Sequence, residues 1–264
     1  PLCTTLLPTP TIADPSAYFD TKLWTGTGAA RSITGYGFSP DWVWIKGRGN
    51  ATWHELVDII RGPGERLFSN TASVETSSTI NLTSFNSDGF SLGSENGVNG
   101  NGRSYVGWAW DGGSSTVSNT DGSITSSVRA NQTAGFSVVQ WTGTATAGTV
   151  GHGLGASPDL LIVKNYGESA DWMVWHSAFG SAGSGEHLSI NTNAAKGSPT
   201  SRALWNNTLP TNSVFSVGSD GHVNSSGKGI VAYCFAPVES YSSMGVYTGN
   251  GSADGPFVYT GFRA

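Results

Sequence analysis

Apolar and polar residues alternate in short runs along most of this chain. Phe136-Ser137-Val138-Val139-Gln140-Trp141, Trp42-Val43-Trp44-Ile45-Lys46 and Tyr105-Val106-Gly107-Trp108-Ala109-Trp110 are built from β-branched and aromatic residues. Such runs predict strands, because successive side chains of a strand leave on opposite faces. Asp88-Gly89, Asn99-Gly100, Asp121-Gly122 and Asp220-Gly221 punctuate them as turn dipeptides. Pro40-Asp41 and Pro158-Asp159 each open a strand, where proline's missing donor is tolerated. Only Trp53 to Ile60 carries helix-like spacing, and it is short. Many short strands separated by turns predict an all-β chain of β-sandwich, jelly-roll-like architecture.

The pattern occurs twice. Pro40-Asp41-Trp42-Val43-Trp44-Ile45-Lys46 returns as Pro158-Asp159-Leu160-Leu161-Ile162-Val163-Lys164, and Trp24-Thr25-Gly26-Thr27 returns as Trp141-Thr142-Gly143-Thr144. The offset is 117 at Trp24/Trp141, 118 at Pro40/Pro158, 121 at Asn70/Asn191 and 125 at Phe90/Phe215. It grows gradually, as it does when strands keep their length and loops lengthen. A period near that of one ordinary domain predicts two tandem pseudo-repeated sandwiches. The expected organisation is an N-terminal arm over 1–17, a first repeat over 18–113, a linker over 114–133 and a second repeat over 134–240. Residues 241–264 hold a third opening, Tyr247-Thr248-Gly249-Asn250, read either as the start of a third repeat or as a C-terminal strand.

Composition narrows the function. Charged residues make up only 12% of the 264, aromatics 11%, with 37 Gly and 10 Trp. That combination argues against disorder, which favours charge and avoids large rings. A net charge of −5 without a Lys/Arg cluster argues against nucleic-acid binding. No apolar run reaches the length of a membrane-spanning helix. The surface composition fits extracellular, viral and sugar-facing proteins. Cys234 sits in a strand and reads as a buried thiol, Cys3 in an irregular arm; a disulfide between them is the alternative.

Candidate chemistry is sparse. His54, His152, His176, His187 and His222 lie at no metal-ligand spacing, so no metal or cofactor is expected. Gly151-His152-Gly153-Leu154-Gly155 precedes a strand and reads as a tight turn, not a dinucleotide loop. No nucleophile elbow is supported. Of the carboxylates that hydrolysis could use, Asp58 and Glu75 have no acidic counterparts in the second copy, where His176 matches Asp58. Asp58, Arg61 and Asn70, with His176 and Asn191 opposite them, therefore form either an internal polar cluster or a ligand pocket. Trp53, Trp172 and Trp205 are candidates for stacking on sugar rings. Sequons stand at Asn50, Asn81, Asn131, Asn206, Asn224 and Asn250.

Several blocks resemble repeat domains of marine bacteriophage virion proteins. They are Thr120-Asp121-Gly122-Ser123-Ile124, Ala134-Gly135-Phe136-Ser137-Val138-Val139, Gly151 to Asp159, Trp205-Asn206-Asn207-Thr208 and Tyr247 to Tyr259. The resemblance implies a tail-fibre or virion-appendage protein of undefined biochemical function, and it supplies no catalytic residues. It leads to the expectation of a non-enzymatic structural protein on the virion surface or outside the cell. Its partners would be itself, as a homo-oligomer, other virion proteins and host glycans. The alternatives are a free lectin-like protein and, less favoured, a surface glycan hydrolase.

Overall fold

The computed structural model describes residues 10–179, 185–197 and 202–261. The first unit contains β1 (Phe19–Thr25), β2 (Arg31–Thr34), β3 (Trp42–Gly47), β4 (Glu55–Asp58), β5 (Glu65–Phe68), β6 (Thr76–Ser77), β7 (Leu82–Asn86) and β8 (Gly89–Leu92). One helical turn, α1 (Asn96–Asn99), and β9 (Ser104–Trp110) complete it. β10 (Thr116–Asn119), β11 (Ser126–Asn131), β12 (Phe136–Thr142), β13 (Gly148–Gly151) and β14 (Leu160–Asn165) follow. The chain continues through β15 (Met173–His176), β16 (Leu188–Ser189), β17 (Val214–Val217), α2 (Gly221–Asn224) and β18 (Gly229–Phe235).

The fold is all-β and sandwich-like. A six-stranded sheet in the order β1-β9-β3-β4-β5-β6 faces a small sheet, β2-β8-β7. A seven-stranded sheet, β10-β11-β12-β18-β14-β15-β16, faces the pair β13-β17. Strands β1, β2, β3, β4, β5, β8 and β9 correspond to β12 to β18 in order, while β6, β7, β10 and β11 have no counterpart among the described residues. β3 meets β4 with Trp42 opposite Asp58, and β14 meets β15 with Leu160 opposite His176. Asn99 donates to Gly93 O and Ala29 O and accepts from Thr27 N–H; Asn224 donates to Gly218 O and Thr146 O and accepts from Thr144 N–H.

Packing adds a third core to the two expected. Val43, Ile45, Phe90 and Tyr105 fill the first sandwich; Val139, Trp141, Phe215 and Ala232 fill the second. Between the two large sheets lies a further cluster, in which Trp42, Leu56 and Leu67 meet Phe136, Trp172 and Tyr233. Trp42 stacks on Tyr233 with ring centroids 4.1 Å apart, and Trp172 Nε1 donates to Phe68 O at 2.9 Å. The central strands of the large sheets are thus covered on both faces, which is why β3, β9, β14, β15 and β18 read as nearly unbroken apolar runs. The same burial explains Trp53 to Ile60. Its core is strand β4, with all four residues buried, and not the helical spacing the pattern suggested.

Residues 114–133, expected as a linker, instead supply β10 and β11, which extend the second large sheet beside β12. After β18 the described residues to 261 form no strand, so of the two readings of 241–264 the C-terminal strand is absent from them. Tyr247, Phe257 and Tyr259 are exposed there, Phe257 at 90%. Cys234 is a free, buried thiol, and burial pushes its pKa up to about 12. Cys3 and its candidate disulfide lie outside the described residues, as does most of the expected N-terminal arm.

Candidate functional site

Asp58 closes β4 and turns the chain. Its Oδ1 accepts the N–H groups of Ile60 and Arg61, and Gly62 at φ 104 completes the turn in a conformation other residues rarely adopt. The turn folds Arg61 back, so that Nε donates to Asp58 Oδ2 at 2.6 Å and Nη1 to Glu75 Oε2 at 2.7 Å. Tyr233, from the other unit, donates its hydroxyl to the same Asp58 Oδ2 at 2.9 Å. The Asp58 and Arg61 side chains are 0% and 1% exposed. Burial opposes charge on Arg61, yet the adjoining carboxylates hold its pKa above the usual value. Burial and then Asp58 raise that of Tyr233. The ion pairs of Arg61 are made within the first unit, and the Tyr233 hydroxyl carries the network across the seam. Of the five residues grouped in the sequence, only Asp58 and Arg61 meet here, and both are tied to internal partners.

The remaining cluster residues do the same small task in each copy. Asn70 Oδ1 accepts the N–H of His54 and Asn191 Oδ1 that of Trp172. His176, opposite Asp58 in the repeat, accepts the N–H of Ala178 at Nδ1, two residues on, as Asp58 accepts that of Ile60. None of the three joins the Asp58–Arg61 network. His152 is also structural: Nδ1 accepts the Leu154 N–H, leaving Nε2 to meet Thr211 O, and burial lowers its pKa.

The tryptophan expectation needs correction. Trp172 and Trp205 are buried, with indole N–H groups donating to Phe68 O and Glu186 O, so neither has a face to offer a sugar. Trp53 alone of the three is open, at 52% exposure, its ring edge-on to Phe68 at 4.9 Å. Two sequons fail for the same reason, since Asn81 and Asn224 are fully buried.

Two other buried carboxylates carried no signal in the local pattern. Asp41 ion-pairs with Arg129 at 2.8 Å and accepts the Gly112 N–H; burial, against Arg129, raises its pKa to about 6. Beside this pair runs an open cleft of about 720 Å³, lined by Ser39, Asp111, Ser114, Arg129, Asn131 and Gln132. Its visible acid, Asp111, already accepts from Gly113 N–H and Asn131 Nδ2. Glu55, in β4, accepts from Asn81 and lies near Arg66; burial raises its pKa to about 7. For Asp41 the missing signal was the placing of Arg129, whose strand β11 lies within the segment read as linker. Among the described residues no cluster of three or more His, Cys, Asp or Glu could hold a metal, and no helix is long and apolar enough to cross a membrane.

The chain matches no curated protein and no solved structure. A family model does match it, over residues 14–264, and its description is a domain of unknown function, DUF7483. The chain belongs to that family.

Proposed function

We propose that this chain is a structural component of a virion fibre or surface appendage. It would act without catalysis, assembling with copies of itself and other virion proteins, outside the cell or on the particle surface. One observation carries the reading: the strongest polar network, Asp58–Arg61–Glu75–Tyr233, is used to fasten the two units. A catalytic centre needs strong groups directed at a substrate, and these are directed at one another. The resemblance to phage repeat blocks and the low charge of 12% agree with the reading. Mass spectrometry and antibody labelling of purified particles test it. Copies on the particle support it, and particles without the chain overturn it.

The exposed Trp53 favours a second reading, a lectin-like protein in which the ring packs on a sugar face. A glycan array distinguishes the two. Glycan binding by a chain absent from particles, lost in Trp53→Ala, selects the second.

A further inference from the structure

β1 ends the first large sheet, and among the described residues no strand lies beyond it. Its counterpart β12 is covered, because β11 and β10 pair along its outer side. The hydrogen bonds at either end of β1 fix which of its backbone groups point outward. Gly26 donates to Arg103 O and Tyr18 O accepts from Asp111 N–H, so even-numbered residues turn their backbone groups towards β9. Odd-numbered residues turn theirs outward: Thr25 O is taken by the Arg31 side chain, and the Thr21 N–H by the carboxylate of Asp20. Phe19, Thr21 and Leu23 therefore present the open rungs, with Leu23 62% exposed.

We infer that this edge pairs with β1 of a second copy, antiparallel about Thr21. This rests on the self-assembly in the function proposed above. In that register Thr21 faces Thr21 of the partner subunit, and Phe19 faces the partner's Leu23. These are the odd residues, so all three opposed pairs can exchange backbone hydrogen bonds. Asp20 then faces the partner's Lys22 in the intervening rungs, where antiparallel side chains come closest. Asp20 and Lys22 now pair within one strand at 2.5 Å. The rearrangement exchanges that contact for two across the dimer axis and frees the Thr21 N–H. A twofold contact needs a self-complementary surface, and the order Phe19-Asp20-Thr21-Lys22-Leu23 is self-complementary in apolar character and in charge.

Sedimentation equilibrium tests the pairing. Asp20→Lys puts like charges opposite each other twice and raises the dimer dissociation constant by roughly tenfold or more. Lys22→Asp does the same. The double variant Asp20→Lys/Lys22→Asp restores the opposed charges and returns the constant towards its starting value. Thr21→Cys gives an independent reading, since Cα atoms of such a rung are about 5.5 Å apart, within disulfide reach. Air oxidation then yields a covalent dimer at that residue. A dimer that is indifferent to the charge variants and stays uncrosslinked in the Thr21→Cys variant overturns the edge pairing, even if the chain is found on particles. A monomer at every concentration overturns the pairing and the self-assembly with it.

Discussion

Asp58, Arg61 and Tyr233 illustrate how little of a buried charge's value lies in the pair itself. The desolvation cost nearly cancels the attraction, so the network fastens the seam mainly by making any separation expensive. Arg61→Met leaves Asp58 charged and uncompensated, and should lower unfolding free energy by about 3–5 kcal/mol in urea titration. Tyr233→Phe removes one hydrogen bond to the same carboxylate and should cost about 1–3 kcal/mol. An Arg61→Met loss below that of Tyr233→Phe would place the guanidinium outside the network. Glu55 makes a pH prediction. Its pKa is raised from 4.5 to about 7 by burial, against the pull of Arg66 and Asn81. The folded state therefore holds the proton more tightly than the unfolded chain, and stability contributed below pH 4.5 is lost as pH rises towards 7. Glu55→Gln should flatten the stability profile across that window; an unchanged slope would show that other groups set it.

Among the elements, the helical turns α1 and α2 have the same task. Each ends on a buried asparagine that joins three loop groups, Asn99 in one copy and Asn224 in the other. Alanine at either position strands a buried carbonyl, that of Gly93 or Gly218, at about 1–3 kcal/mol. The two variants should shift the urea midpoint by similar amounts, and a large inequality would mean that the loops relax differently. The matches of Asn70 with Asn191 and Asp58 with His176 are legible in the sequence, because strands preserve register while loops absorb insertions; Asn99 reads there as a turn and Asn224 as a sequon, so their shared task shows only in the fold. The strands β10 and β11 are not legible there. Ser126-Ser127-Val128-Arg129-Ala130-Asn131 has only a weak apolar alternation, and its pairing with β12 supplies what the local pattern lacks. The tryptophans mislead for a related reason: an indole outside the strands reads alike whether the next layer covers it or not.

For the molecule as a whole, the middle core joins the two units through buried aromatic and aliphatic contacts. Tyr233 and Asp58 are separated by 175 residues, and no periodicity along a chain announces which faces meet at such a distance. Trp42→Ala should cost about 3–5 kcal/mol, the range for emptying a large buried ring. In calorimetry the wild-type chain should melt in a single transition. Two separate transitions would mean that the middle core does not couple the units.

The stacking of one copy's sheet on the other's sets a condition on how alike the copies can remain. Halves pressed together can stay identical only where the joined face complements itself. Here the matched positions differ: Trp42 of the first copy corresponds to Leu160 of the second, and Trp172 of the second to His54 of the first. At both places the ring belongs to the middle core and its counterpart does not. The joint is therefore asymmetric at those positions, and each copy has its own residue to keep there.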